Sequence, residues 1–500
     1  MSAITPYPLR ELPSKAILSL LLFLGLATLA YAIIMQNIVL AGIVICLPIA
    51  IFILGYGSLH PRFIYLLYAI YAFYFTTLSR YLRQTGFSVG LDILLAYISL
   101  SILLLYYYKK TDNQLSSPFN MLTLSYMAWV VFILLQLINP GTQAEGVTEG
   151  VRVWILRTFI LYAIASILSN TPRMLQISLI VGGTFVFIAF LKLLYQKYVG
   201  FDLGEKYWLY AQEAARTHII HSGIRYFSHF TDAGNFGACM GGMATLYSII
   251  GFYTRNRRLT LFCLTIALMA TIGMLMSGTR GALAIPVSGF ILFCLICKSI
   301  RTFLVTVGIG LFVFSMLTFT EIGNSNQFIR RARTALHPTE DGSFNVRMEN
   351  RKEIAQYLQH YPWGVGLNAD IPKMWQQGEL QVEGTLPPDS YFVSIWIQTG
   401  LPGLILYLTI YTLILLRCCY IVMFKVRNKE LRLILSALTC ATFGIMLSGY
   451  VGEAPGMPPT NFILAAMLAF VMNGSYIDKQ LSQQETIRNN SKQITRECHE

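Results

Sequence analysis

The sequence predicts an all-α polytopic integral membrane protein, because its composition is apolar, long apolar runs recur and basic residues alternate with them. Of the 500 residues, 55% are hydrophobic and only 12% are charged, and the mean hydropathy is +0.57. A bilayer core about 30 Å thick requires roughly 17–25 apolar residues per helix. Runs of this length occupy almost the whole chain, which excludes a soluble domain.

Taken in order, the apolar runs predict about 12 to 14 membrane-spanning helices. With the N-terminus in the cytoplasm, most basic short loops also lie in the cytoplasm, as is usual in membrane proteins. Arg80 and Arg83 are exceptions on the outer side. The predicted spans are residues 16–34, 38–54, 63–79, 89–108, 119–138, 153–169, 175–195, 233–253, 259–276, 281–297, 302–320, 390–416, 433–450 and 459–474.

Two long loops on the predicted outer side, opposite the cytoplasm, divide the chain. The polar composition of the last residues predicts a disordered cytoplasmic tail. The predicted organisation is N-terminal helices in 1–195, a central region in 196–320 that begins with the first outer loop (196–232), a large outer loop in 321–389, C-terminal helices in 390–476 and the tail in 477–500.

The large loop is predicted to be partly helical and to cap the outer face. Between Val346 and Tyr361 the apolar residues approximate one helix face. Arg347 and Arg351 project together because they are i,i+4 neighbours. This pattern favours an amphipathic helix at the membrane surface. Pro362 ends the helix, and the glycines of Gly364-Val365-Gly366 permit a tight turn.

Charge and cysteine content exclude several functions. The net charge of +13 is explained by cytoplasmic basic loops, and the sequence holds no nucleic-acid-binding motif, so no nucleic acid partner is predicted. The nine cysteines lie outside the large loops, so no disulfide framework is predicted. Cys294-x-x-Cys297 has a metal or redox spacing but lies in an apolar helix, which disfavours such a role. Neither a Walker A motif nor Gly-x-Gly-x-x-Gly is present, and no cofactor is predicted.

Arginines collect on the face of the membrane where basic residues are normally scarce. A frequent reason for such a cluster is an anionic ligand, because guanidinium groups bind phosphate and carboxylate bidentately. The cluster is therefore the predicted functional region. Its members are Arg216, Arg225, Arg280, Arg330, Arg331, Arg333, Arg347 and Arg351.

Two parts of this cluster lie at predicted helix starts. In Met276–Ala282, the amides of the new helix and Arg280 would together bind an anion; the alternative is a short turn whose arginine reaches lipid headgroups. The segment Arg225–Asn235 ends the first long loop. Its residues Asp232 and Asn235 stand at the mouth of the next span, where Asp232 either contacts substrate or caps the helix.

Further polar residues on this face have more than one reading. Asp389 opens the span at 390–416 and is a general base for a hydroxyl, an N-cap or an arginine partner. His218 and His221 have a spacing that suits a metal, but without an acidic neighbour they are interpreted as interfacial. No Asp-x-Asp or Glu-x-Asp pair occurs on this face, so a divalent ion clamping a diphosphate is not predicted.

A membrane transporter or flippase for an anionic lipid-linked sugar is the alternative from another class. It requires basic residues along a continuous path, and proton-coupled carriers usually hold ionisable groups in mid-span. In this sequence the arginines lie mainly on one face and few ionisable residues fall in mid-span. No internal repeat supports transporter architecture.

In their order along the chain, these segments resemble the bacterial O-antigen ligase and polymerase family. The resemblance covers about the middle half of the sequence. Its landmarks are Arg225 to Asn235, Ser277 to Ala282, Arg347 to Asn368 with the core His360-Tyr361-Pro362-Trp363-Gly364-Val365-Gly366, and Asp389 to Gly403.

The resemblance implies a bacterial inner-membrane glycosyltransferase whose active site faces the periplasm. The implied donor is a glycan on undecaprenyl diphosphate, and the implied acceptor is lipid A-core or a second lipid-linked glycan, with membrane lipids around the protein. Transfer is expected to invert the sugar configuration without a metal. Whether the chain is a ligase or a polymerase stays open.

The resemblance also implies site residues. Arg225 and Arg280 are expected to hold the diphosphate and act in catalysis, assisted by Arg216, Arg347 and Arg351, with Asp232 and Asn235 contacting substrate. The family commonly has His-Asn where this sequence has Asp389-Ser390. Asp389 is therefore the expected catalytic carboxylate that orients or deprotonates the acceptor.

Overall fold

The structure of the protein is a computed structural model. It describes residues 51–84, 86–108, 119–220, 223–297, 300–320, 342–377 and 380–497, together with the single residues 28, 115, 117, 329, 330 and 333. The predicted span 16–34, apart from residue 28, and most of 38–54 lie outside the described residues.

Each of the other predicted spans corresponds to a helix, and the ends differ by a few residues except at the start of α4. The agreement arises because the apolar runs are long and their flanks are polar or contain glycine and proline. The helices are α1 (Pro61–Leu82), α2 (Val89–Tyr107), α3 (Met121–Gln136), α4 (Ala144–Leu168, with π-helical turns over Val151–Ile160), α5 (Pro172–Tyr198), α6 (Leu203–Lys206), α7 (Ala215–His218), α8 (Ala233–Tyr253), α9 (Arg257–Met276), α10 (Arg280–Ile296), α11 (Ile300–Phe319), α12 (Gly342–Leu358), α13 (Tyr391–Tyr420), α14 (Lys429–Ser448), α15 (Thr460–Met472) and α16 (Gly474–Glu497).

Within the described residues, seven helices are long and apolar enough to cross a bilayer, and α15 with the start of α16 makes an eighth if this bent pair is one span. Helices α3 and α10 are apolar but shorter. The prediction of an all-α polytopic membrane protein is confirmed, while the total of about 12 to 14 spans stays a prediction. The seven are α2, α4, α5, α8, α9, α13 and α14.

Helix α8 is the central helix of the bundle. Its most apolar stretch is 83% buried, whereas the corresponding stretch of α2 is only 22% buried and faces outward. Helix α8 packs against α9, α10 and α14. The helices approach closely because Gly237 and Gly242 lack a Cβ. An added Cβ would overlap Ser277 at Gly237 and Ile445 at Gly242. Small residues in this position let helix backbones approach each other in membranes.

Side-chain caps fix several helix starts. Thr171 accepts a hydrogen bond from the Met174 amide and precedes Pro172, which suits the first turn of a helix. Asn256 and Asn428 cap α9 and α14 in the same way. These polar residues directly follow or precede the apolar runs, which explains why the sequence predicts these boundaries well.

The large loop contains the predicted helix α12 and a β-hairpin that was not predicted. Strands β1 (Ile219–Ile220) and β2 (Gly223–Ile224) form a short antiparallel pair in the first long loop. In the large loop, strands β3 (Pro372–Gln377) and β4 (Leu380–Thr385) are antiparallel, and Gln377 pairs with Leu380. A two-residue connection that begins with glycine, as Gly378-Glu379 does, is a known hairpin signal. The sequence therefore contained a turn signal. The residues on either side of it do not alternate clearly between apolar and polar, so strands were not predicted.

The prediction of a disordered tail was wrong, because α16 continues to Glu497. The start of this helix is fixed by packing and by backbone contacts. Ile477 is fully buried, and the Asp478 carboxylate accepts hydrogen bonds from the amides of Arg427 and Asn428, both at 3.0 Å. These contacts with the connection between α13 and α14 cannot be inferred from the composition of the tail.

Candidate functional site

The sequence segments predicted to carry function meet around the connection between α14 and α15, residues 449–459. This connection, hereafter the α14–α15 connection, lies at the end of the bundle where α8, α10 and α13 begin. We call this end the site face.

Arg225 lies directly beside the start of α10. One terminal nitrogen of its guanidinium donates to Thr279 Oγ1 at 3.1 Å, and the other donates to the Thr217 carbonyl at 3.1 Å. Thr279 immediately precedes Arg280, and its hydroxyl donates to the Ala233 carbonyl at 3.0 Å instead of capping α10. The structure therefore brings Arg225 and the half-buried Arg280 to one helix start, although they are far apart in sequence.

The start of α8 is already occupied by protein side chains. Asp232 Oδ1 accepts from the amides of Gly234 at 2.6 Å and Asn235 at 2.9 Å, so the carboxylate caps the helix. His218 Nε2 accepts from the Ala233 amide at 3.2 Å. The first amides of α8 are thus satisfied, whereas the N-cap residue of α10, Thr279, makes no capping hydrogen bond with its side chain. The start of α10 is therefore better suited than the start of α8 to bind an anion on the site face.

Asn235 is buried and engaged with the α14–α15 connection. Its amide nitrogen donates to the Pro458 carbonyl at 2.8 Å and to Thr231 Oγ1 at 2.9 Å. Its oxygen accepts from Thr460 Oγ1 at 2.5 Å. In this structure the side chain joins α8 to α15 and holds the connection in place.

His218 is buried instead of interfacial. Its Nδ1 lies 2.9 Å from the Ala214 carbonyl while Nε2 accepts from a backbone amide, which defines a neutral imidazole. Burial lowers the pKa of His218 to about 4. Both ring nitrogens are in use, and the described residues contain no cluster of three His, Cys, Asp or Glu side chains that could hold a metal. His221 lies outside the described residues.

Helix α12 contacts the α14–α15 connection through both predicted arginines. Arg351 Nη2 donates to the Tyr450 carbonyl at 2.5 Å, and its guanidinium carbon lies 4.2 Å from the centre of the Tyr450 ring. Arg347 Nη1 lies 3.5 Å from the Val451 carbonyl. The i,i+4 spacing therefore directs both cations to the same segment.

The turn after α12 is locked between two other elements. Gly364 and Gly366 have φ of 85° and 120°, and Gly400 in α13 has φ of 68°. A Cβ on Gly400 would overlap the Pro362 carbonyl, and one on Gly366 would overlap the Gly141 backbone. Only glycine combines these conformations with such close backbone packing.

Polar side chains complete this lock. Asn139 donates to the carbonyls of Trp363 at 3.3 Å and Gly364 at 3.1 Å, and Gln136 donates to the Trp363 carbonyl at 3.1 Å. The Val365 amide donates to the Ile397 carbonyl at 2.8 Å. The motif from His360 to Gly366 thus fastens α12 to the kink of α13 and to the connection between α3 and α4.

Asp389 lies at the start of α13, next to the same connection. It has φ of 51°, an uncommon conformation for a residue other than glycine. The N-cap is Ser390, whose Oγ accepts from the Val393 amide and donates to the Gly449 carbonyl at 3.0 Å. The Tyr391 amide donates to the carbonyls of Gly449 at 2.9 Å and Gly452 at 3.1 Å. Ser390 therefore caps α13, and Asp389 has no capping role.

The α14–α15 connection adds a carboxylate that the sequence analysis did not select. Glu453 is half-buried, and its pKa is raised by burial and by the nearby carboxylates of Asp232, Asp389 and Asp370. In the sequence it is a single acidic residue between two apolar runs. The available signal was the unusual glycine and proline content of residues 449–459.

Arg80 is a second residue that the sequence analysis noticed only as a charge exception. It is 6% exposed, and its Nη2 donates to the carbonyls of Phe230 and Thr231, both at 2.8 Å. Its guanidinium carbon lies 3.9 Å from the Trp208 ring centre and 4.6 Å from that of Phe227. Arg80 thus holds the backbone that immediately precedes Asp232.

The remaining predicted residues lie apart from this geometry or beyond the described residues. The Arg216 side chain is 75% exposed and pairs with Glu213 at 2.9 Å. Arg330 is exposed and Arg333 half-buried, while Arg331 lies outside the described residues. Cys294 lies in α10 and Cys297 directly after it, and the Cys297 thiol donates to the Cys294 carbonyl at 3.5 Å.

The fold and this site define a polytopic membrane protein with cations and carboxylates gathered at one end of its helix bundle. Residues 241–408, from α8 to α13, match the family model described as O-antigen ligase. The match covers this part of the chain only, and it supports an assignment to the O-antigen ligase and polymerase family. The matched region contains Arg280, Arg347, Arg351 and Asp389. A search of curated proteins gave no match.

Proposed function

We propose that this protein transfers a glycan from undecaprenyl diphosphate to a sugar hydroxyl on the periplasmic face of the bacterial inner membrane. The product would belong to lipopolysaccharide or another surface polysaccharide. The observation that carries the proposal is the start of α10, where Arg225 donates to Thr279 beside Arg280 and the Thr279 side chain does not cap the helix. Two guanidiniums and a helix N-terminus form a favourable environment for a diphosphate.

In the proposed reaction the acceptor oxygen forms a bond to the anomeric carbon of the donor sugar. The bond between that carbon and the diphosphate oxygen breaks, and undecaprenyl diphosphate leaves with the electron pair. Attack from the opposite side inverts the configuration. Arg225 and Arg280 stabilise the charge that develops on the leaving group, which is the role a metal plays in other transferases.

Arg347 and Arg351 support the site from α12. Both donate to carbonyls of the α14–α15 connection, and both lie on the helix that follows the long chain segment before residue 342. We assign them to the polar part of the glycan or to the outer phosphate. Asp389, next to this connection, orients or deprotonates the acceptor hydroxyl.

The test is the Arg280→Ala variant in a strain that lacks the chromosomal gene. We expect loss of glycan transfer by about 100-fold or more, the magnitude typical of removing one donor that stabilises developing negative charge. Arg257→Ala is the matched control, because Arg257 is exposed at the opposite end of α9. Protein levels in the membrane should equal wild type for both variants. Normal transfer by Arg280→Ala would refute the proposed mechanism.

Two further measurements refine the assignment. Purified protein in detergent, given lipid-linked glycan and acceptor, should form product, because chemistry without a sealed membrane cannot be transport or flipping. In a deletion strain, loss of a ligase leaves long glycan on its lipid carrier. Loss of a polymerase instead leaves single repeat units on the core.

A further inference from the structure

We propose that Glu453 is the general base that takes the proton from the acceptor hydroxyl, a role that rests on the proposed glycosyl transfer. Asp389 then orients the acceptor.

The residues that precede Glu453 contact the starts of α10 and α13. Two residues before it, Val451 packs so closely on α10 that a Cβ on Gly281, next to Arg280, would overlap its side chain. The preceding residue, Gly452, accepts a hydrogen bond from the Tyr391 amide at 3.1 Å, two residues after Asp389. Glu453 is therefore held between the start of α10 and the start of α13.

The segment after Glu453 is fixed equally well. The Gly456 amide donates to the Glu453 carbonyl at 3.1 Å, closing a short 3₁₀ turn over Ala454–Gly456. Pro458 then accepts the hydrogen bond from Asn235 described above. Anchors on both sides restrict the backbone of Glu453, so its carboxylate is confined to one region of the site.

The carboxylate itself has no structural task in the part of the chain that the structure describes. Glu453 is the N-cap of the 3₁₀ turn, yet its side chain makes no capping hydrogen bond. No ion pair or side-chain hydrogen bond to it is present among the described residues. Arg347 and Arg351 instead donate to backbone carbonyls of the same connection. A half-buried carboxylate left without a partner is available to accept a proton.

The groups that face Glu453 set its basicity. Burial and the carboxylates of Asp232, Asp389 and Asp370 raise its pKa, since each disfavours the ionised form. The cations on the adjoining elements are Arg280 on α10 and Arg347 and Arg351 on α12. A base whose pKa lies closer to the working pH takes a proton from a hydroxyl more effectively.

The proton balance of the proposed step is simple. As the acceptor oxygen bonds to the anomeric carbon, its proton moves to the Glu453 carboxylate, and undecaprenyl diphosphate leaves with the electron pair. The neutral Glu453 then returns the proton to solvent. No oxidant, reductant or further reactant is required.

The experiment compares Glu453→Gln, Glu453→Asp and Asp389→Asn in the full-length protein. Detergent-solubilised membranes from the deletion strain supply the accumulated donor and the acceptor, and purified variants are added between pH 5 and pH 8. Binding of undecaprenyl diphosphate alone is measured in parallel. Glu145→Gln is the matched control, because Glu145 is an exposed carboxylate in the first turn of α4.

We expect Glu453→Gln to lose transfer by about 100-fold or more, in line with the usual contribution of a general base. It should bind undecaprenyl diphosphate as wild type does, and Glu453→Asp should recover part of the rate. Wild-type transfer should fall as the pH drops through the raised pKa of Glu453. The residual rate of Glu453→Gln should lack this decline.

The proposal is overturned if Glu453→Gln transfers within about threefold of wild type, or if it loses undecaprenyl diphosphate binding together with transfer. It is also overturned if Asp389→Asn, and not Glu453→Gln, removes the decline at low pH. Failure of the proposed function itself would be seen separately, as normal binding and transfer by Arg280→Ala.

Discussion

Arg80 offers a quantitative test of how the arginine-bearing loop is held on the site face. Its guanidinium donates two hydrogen bonds of 2.8 Å to consecutive carbonyls and lies against the rings of Trp208 and Phe227. Arg80→Met keeps the length of the side chain but removes the charge and all donors. The two carbonyls then remain in a buried environment without a donor.

The expected loss can be worked out from these contacts. A hydrogen bond to a charged group contributes about 1.5–3 kcal/mol, and a desolvated cation over an aromatic ring contributes about 1–2 kcal/mol. Methionine recovers part of the packing against the rings. We therefore expect Arg80→Met to lower the free energy of unfolding by about 3–5 kcal/mol, the range found when one member of a buried charged contact is removed.

The measurement is unfolding of the purified protein in mixed micelles of increasing sodium dodecyl sulfate, followed by tryptophan fluorescence. Arg83→Met is the matched control, because Arg83 is exposed on the next turn of the chain and lies 4.7 Å over the Tyr207 ring. The control should change the free energy of unfolding by less than about 1 kcal/mol, as exposed sites usually do. A change below about 1 kcal/mol for Arg80→Met would refute the reasoning.

Two further predictions concern buried contacts of the site face. Burial lowers the pKa of His218 to about 4, whereas the pKa of an unfolded histidine is about 6.5. The stability that the neutral imidazole contributes is therefore complete above pH 6.5 and is lost as the pH falls toward 4. We expect the free energy of unfolding to fall by about 2 kcal/mol between pH 7 and pH 5. His218→Gln should weaken the pH dependence of unfolding, whereas the exposed His360→Gln should leave it unchanged. Gly400→Ala should release the turn after α12, because a Cβ there would overlap the Pro362 carbonyl at a positive φ. Hydrogen exchange over residues 342–371 should accelerate in that variant but not in Gly308→Ala, where a Cβ meets no neighbouring atom; unchanged exchange would contradict the proposed lock.

The helices were predictable from sequence because the physical signal is local. Apolar runs of membrane length, bounded by residues such as Asn256 and Asn428, mark each helix and its start. Helix α12 was equally predictable, because its arginines have i,i+4 spacing and a proline and glycines follow it. The start of α16 was missed because its stability depends on Asp478 bonding to a distant connection.

The site was only partly predictable for the same reason. Arg225 and Arg280 were selected individually by their charge, but their meeting at Thr279 depends on how α8 packs against α9 and α10. The sequence left open whether Asp232 caps a helix, and its two hydrogen bonds from backbone amides in the structure show that it does. Glu453 carried no motif, and only the fold places it beside the other carboxylates.

The glycine lock after α12 has a mechanical consequence. The helix is held at its Leu358 end by this turn and along its length by the contacts of Arg347 and Arg351 with the α14–α15 connection. Anchors at separate points resist both sliding and tilting of the helix, so the spacing between α12 and the kink of α13 stays constant. In the proposed reaction, a constant spacing would make the geometry at the reacting carbon independent of the length of the sugar chain.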